Sequence, residues 1–113
     1  MAAVYVNNIV INAGANFSQT FTLESGGDNS ALDLTGYTVS AQMRKYAGSS
    51  TATTFTTNIV SPATSGRLSI SLNATQTADL KPGRYVYDIV ISQSSVKTRV
   101  VEGMVLVREG VTR

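Results

Sequence analysis

Two runs near the end of the chain, Arg84-Tyr-Val-Tyr-Asp-Ile-Val-Ile-Ser92 and Val96-Lys-Thr-Arg-Val-Val-Glu-Gly-Met-Val-Leu-Val-Arg108, are separated only by Gln93-Ser94-Ser95. In the first run Tyr85, Tyr87, Ile89 and Ile91 fall on one parity. β-Branched and aromatic residues with a period of two suit a pleated, half-buried surface better than a helix. The two runs therefore predict one long β-hairpin, the nucleus of a sheet.

The rest of the chain repeats the pattern in shorter pieces. Phe17, Gln19, Phe21 and Leu23 alternate with Ser18, Thr20 and Thr22; Tyr37, Val39, Ala41 and Met43 alternate with Thr38, Ser40, Gln42 and Arg44; Leu68, Ile70 and Leu72 alternate with Arg67, Ser69 and Ser71. Each reads as a strand with one buried face. A weaker edge strand is expected around Phe55, Thr57 and Ile59, and another at the start, broken near Asn7-Asn8. Ser25-Gly-Gly-Asp-Asn-Ser30 and Pro62 to Gly66 are turn and loop sequences. Asn73-Ala-Thr-Gln76 carries an N-cap and a glutamine three residues on, so a short helical turn is expected between Asn73 and Leu80, stopped by Pro82-Gly83.

About seven short strands with turns between them imply an all-β chain, a single antiparallel β-sandwich, with an immunoglobulin-like arrangement ahead of a jelly roll or a partly open barrel. Residues 1–8 read as an extended N-terminal arm and 9–113 as the sandwich domain. Its core should hold Phe21, Leu23, Val39, Met43, Leu68, Ile70, Leu72, Tyr85, Ile89, Ile91, Val101 and Val105. Gly83 fits the third position of a type II turn, and Gly103, inside a strand, marks a bulge or the close approach of an aromatic ring.

Composition narrows the function. With 113 residues the chain suffices for one core. Charged residues make up 14% of it and the formal net charge is +2, the cations being scattered, which gives no footprint for nucleic acid. There is no cysteine and no histidine, so a thiolate metal site, a disulfide framework, a thiol nucleophile and the commonest general base near neutral pH are all excluded. No glycine-rich phosphate loop or nucleophile elbow is present. Asp28-Asn29 with Asp33 could offer oxygen ligands to calcium, but the spacing matches no EF-hand, and turn-shaping with Asp33 as a cap is the simpler reading. The expectation is a non-enzymatic protein without cofactor or metal. The N-terminus has neither the basic region nor the apolar run of a signal peptide, and no apolar run is long enough to span a bilayer, so a soluble, unexported chain without membrane partners is expected.

Asp88 and Glu102 sit in runs apolar on both parities. If Tyr85, Tyr87 and Ile89 point inward along with Val101, Val105 and Val107, the two acids point outward in the company of Val86, Val90, Val100, Met104 and Leu106. An apolar strip on an outer face is an association surface. Together with the arm Val4-Tyr5-Val6, which could add to a neighbour's sheet edge, Val100, Met104 and Leu106 are the candidate interface residues. The alternative is that Gly48 to Thr54 folds over the strip.

One further pattern emerges from these pieces: Asp33-Leu-Thr-Gly-Tyr37 before a strand containing Gln42-Met-Arg44, Leu68-Ser-Ile-Ser-Leu72 before Thr75 and Thr77, then Pro82-Gly-Arg-Tyr-Val-Tyr-Asp88 and Val101-Glu-Gly-Met-Val105. Over residues 9 to 113 it resembles the immunoglobulin-like β-sandwich of small structural proteins of tailed bacteriophages. It is similar to the N-terminal domain of phage baseplate upper proteins and to short virion proteins of phages infecting cyanobacteria. The resemblance implies a structural protein of the virion, assembled in the host cytoplasm, whose partners are copies of itself and a tail, neck, baseplate or capsid protein. A capsid decoration protein is the runner-up. A carbohydrate-binding module would want exposed loop aromatics, of which Tyr46 is the clear candidate.

Overall fold

The computed structural model describes residues 5–24 and 31–111. Among the described residues nine strands form two sheets: β1 (Tyr5–Val6), β2 (Ile9–Asn12), β3 (Phe17–Thr22), β4 (Thr38–Arg44), β5 (Thr53–Thr54), β6 (Thr56–Ile59), β7 (Arg67–Leu72), β8 (Gly83–Gln93) and β9 (Val96–Arg108). The larger sheet runs β9-β8-β4-β5, with β1 and β2 end to end along the outer side of β9; the smaller runs β3-β7-β6. The protein is an all-β sandwich. The hairpin expected from the sequence is β8–β9, closed by Ser94 and Ser95 alone, both at positive φ (51° and 70°). Two left-handed residues give a turn the twist that the flanking strands need.

The strands divide between sheets as in an immunoglobulin sandwich. There the second, fifth and fourth strands pair in one sheet and the third, sixth and seventh in the other; here β3, β7 and β6 form one set, and β4, β8 and β9 the other. A second mark is the corner at the start of β8, where the Tyr85 hydroxyl donates to the Lys81 carbonyl at 2.7 Å, the tyrosine corner of that fold. Tyr87, two residues on, stands where antibody domains carry a cysteine. It packs edge-on to Phe55 with ring centroids 6.4 Å apart, and Phe55 in turn meets Phe17 at 6.0 Å. Aromatic packing thus holds the sheets together without a disulfide.

Inner-facing residues of both sheets make one core, including Ile11, Leu23, Met43, Leu68, Ile70, Ile89, Val101 and Val105. Of the expected set, Val39 and Tyr85 are only half-buried. Leu34, Ala41 and Phe55 are buried in addition. Phe55 is where the chain changes sheets: β5 pairs with β4, β6 pairs with β7, and the Phe55 amide donates to the Ala41 carbonyl between them.

The short helix α1 (Ala74–Ala78) has the expected capping box: the Asn73 side chain accepts from the Gln76 amide at 2.8 Å and the Gln76 side chain accepts from the Asn73 amide at 2.9 Å. Thr77 is buried and joins α1 to the turn after β2. Its hydroxyl donates to the Ala15 carbonyl and accepts from the Gly14 amide.

Three expectations are corrected. The sheet is not wholly antiparallel, because β1 and β2 pair with β9 in parallel. The arm lies on its own domain: Tyr5 pairs with Val101 and Val6 with Glu102, so the edge it covers is that of the same chain. Gly83 does have positive φ, but at 142° it is far from the third position of a type II turn and opens β8 directly.

Candidate interaction surface

The surface is built by β9, which carries outward residues with a period of two from Glu102 to Arg108. In register beside it stand Val10 next to Leu106, Val86 next to Met104, Arg84 next to Leu106, and Val6 next to Glu102. Met104 and Leu106 are 45% and 42% exposed, Val10 50% and Val6 76%. Val10, Leu106, Met104 and the half-buried Val86 therefore form one apolar patch on the outer face, with Glu102 and Asp88 along one side and Arg84 and Arg108 along the other. A contiguous exposed apolar patch on the outer face of a sheet is a candidate contact surface.

Of the six candidate interface residues, Met104 and Leu106 lie at the centre of this patch and Val6 at its margin. Val4 lies outside the described residues, and Tyr5 is placed by its backbone pairing only. Val100 is a correction: it is completely buried. Ile89 pairs with Val101 and the next residue, Val90, pairs with Arg99, so Val100 is the extra residue of a β-bulge. A bulge lets two successive residues turn to the same face, and both Val100 and Val101 enter the core. Counting by twos from Met104 to Val100 fails at that point. Val10 was missed as a patch residue because its neighbours on the face come from β9, 96 positions away in sequence for Leu106.

Gly103 shows what secures the arm. At Gly103 itself the ladder is regular, with Tyr87 as its cross-strand partner, so the bulge does not fall there, and the backbone of Asn7 crosses directly over it. A Cβ at this position would come within 2.2 Å of the Asn7 carbonyl oxygen. Around that crossing the Asn7 amide donates to the Glu102 carbonyl at 2.9 Å, the Met104 amide donates to the Asn8 side chain at 3.0 Å, and the Tyr87 hydroxyl donates to the Asn7 carbonyl. The paired asparagines that break β1 from β2 thus replace the ladder bonds lost at the kink. Burial pushes the Tyr87 hydroxyl up to about 12, against the lowering effect of its bond to Asn7.

The other half of the same face is polar. Asp88 pairs with Arg99 at 3.2 Å, and a shallow depression beside them is lined by Ser40, Gln42, Val90, Ser92 and Lys97. The tract offered as an alternative cover for the apolar strip lies elsewhere: Thr53 and Thr54 extend the opposite edge of the sheet on β4, and Ser49 accepts from the Arg44 guanidinium through its carbonyl at 2.6 Å. Among the described residues no group of three or more acidic, histidine or cysteine side chains is placed to hold a metal. Asp28 and Asn29 lie outside the described residues, whereas Asp33 accepts from the amide and hydroxyl of Thr35 at 2.9 and 2.6 Å, which lowers its carboxyl and is the capping role expected. Tyr46 is exposed after β4. Among the described residues no helix is long and apolar enough to cross a membrane.

No protein-family model and no curated protein matches the sequence. Among solved structures, the fold is similar to part of InlP of Listeria monocytogenes, with a TM-score of 0.49 and 13% identity over 90% of this chain and 26% of that one. It is also similar to part of a family 123 glycoside hydrolase from Clostridium perfringens, with a TM-score of 0.47 and 11% identity over 96% of this chain and 24% of that one. The chain spans about a quarter of the length of either protein. Likenesses at this level carry no argument about function.

Proposed function

We propose that the chain is a non-enzymatic structural protein of a tailed-phage virion, which docks onto a neighbouring subunit of the tail, neck or baseplate through the outer face of its larger sheet. The observation that supports this reading is the patch Val10, Val86, Met104 and Leu106: apolar, contiguous, exposed, and rimmed by acids on one side and arginines on the other. A rim of both signs fixes orientation, while the apolar centre supplies the burial. The resemblance in sequence supplies the setting, a particle built of repeated subunits.

Met104→Lys tests it. The side chain lies on the outer face and is 45% exposed, so the variant should stay within a few degrees of the wild-type melting temperature, yet fail to enter particles assembled in its presence. Normal incorporation of Met104→Lys would remove this face from assembly. Fractionating disrupted particles then tests the site of attachment. Recovery with tails or baseplates supports the proposal, recovery on emptied heads would make the protein a capsid decoration protein, and absence from both would refute a virion role.

A further inference from the structure

The smaller sheet carries a different kind of surface, an open strand edge. The Leu23 amide donates to the Gly66 carbonyl at 2.7 Å, continuing the β3–β7 register. In an antiparallel ladder bonded and non-bonded pairs alternate. Phe21, Gln19 and Phe17 therefore exchange main-chain bonds with Leu68, Ile70 and Leu72, and the N–H and C=O groups of Ser18, Thr20 and Thr22 point away from β7. Among the described residues none of these groups has a partner, and the side chains of all three are exposed.

Natural edges are blunted by charge, proline, a bulge or brevity. The other edges here follow that rule: β5 has two residues, the arm is broken at Asn7-Asn8, and β6 has four residues, with Thr57 donating its hydroxyl to Val39 of the facing sheet. β3 has none of these devices. It is six residues long, unbroken in register, and free of charge and proline.

We infer that β3 is the pairing edge for a second copy of this chain, joined antiparallel about Thr20 to make one continuous sheet through both molecules. The edge is complementary to itself. Centring the two-fold on Thr20 sets Thr20 opposite its copy and Ser18 opposite Thr22, so that every free N–H of the three residues meets a free C=O. The seam contains small hydroxyl side chains, a favourable cross-strand pairing, and no like charges. Phe17, left half-exposed at the open side of the core, would gain cover from the copy's inner row. An unrelated peptide could satisfy the backbone, but not this side-chain symmetry. The surface is separate from the Met104 patch, so either can fail without the other.

Thr20→Cys and Thr20→Lys test it together. The chain has no cysteine of its own, and bonded antiparallel partners have Cα atoms about 5.5 Å apart, within disulfide reach. Mild oxidation should therefore convert Thr20→Cys to a covalent dimer much faster than Thr75→Cys, a control at an exposed helix position. In sedimentation velocity the wild type and Met104→Lys should be dimeric, and Thr20→Lys, which sets two ammonium groups face to face, should be monomeric with an unchanged melting temperature. A wild type monomeric at every concentration, a Thr20→Lys protein still dimeric, or equal cross-linking at positions 20 and 75 would each overturn the proposal.

Discussion

The two sheets end differently. On the larger, the outer side of β9 is covered by the chain's own arm, seated by Gly103, the Asn7-Asn8 kink and the Tyr87 hydroxyl. On the smaller, the outward main-chain groups of β3 are unpaired among the described residues. The closed edge needs particular residues at particular places, because one backbone passes over another with no room for a Cβ. The open edge needs only regular extended chain. Closure is thus bought with specificity, and what is left open keeps the generic pairing capacity of any β-strand.

The contrast is sharpest in the core. Ile11 of β2 is fully buried against the hairpin, and Ile11→Ala should cost on the order of 2–5 kcal/mol in denaturant unfolding. Ser18→Ala on the open edge should stay within about 0.5 kcal/mol of wild type. Equal effects would mean that β2 is an accessory rather than part of the sandwich.

Gly103→Ala attacks the crossing itself. The new methyl group would meet Asn7 backbone rather than a movable side-chain end, so a loss of about 1–3 kcal/mol is expected. Faster hydrogen exchange at the Asn7 and Ala13 amides, which now donate to Glu102 and Arg108, should accompany it. Unchanged exchange there would show that the arm adjusts without leaving β9.

A smaller effect than those at Ile11 and Gly103 is that of Tyr87→Phe, which removes one bond to the Asn7 carbonyl and should cost about 1 kcal/mol near neutral pH. Its pH dependence has a definite sign. The Tyr87 hydroxyl stays neutral in the folded protein up to about 12, against an ordinary 10.0. Its contribution is therefore fully present below pH 10 and is lost as the pH rises through 12, because only the unfolded chain ionises in that window. The stability gap between wild type and Tyr87→Phe should narrow across it; a constant gap would show that Tyr87 ionises as freely folded as unfolded.

What the sequence by itself determined was local. Period-two alternation marked the strands and most of the core. Asn73 and Gln76 specified the helix cap, Asp33 its turn, and the outward parity of Met104 and Leu106 marked the exposed patch, because in each case the residues that interact lie within a few positions or follow one strand's pleat. Tertiary structure alone decided the rest. The bulge that buries Val100, the sheet change at Phe55, the seating of Asn7 over Gly103 and the Thr77 bonds to Gly14 and Ala15 all join residues of different elements, where no period within one strand carries information. Whether an edge is closed or open is of the same kind: an extended chain offers identical main-chain groups along its whole length, and only the packing of the remainder leaves β9 covered and β3, among the described residues, unpaired.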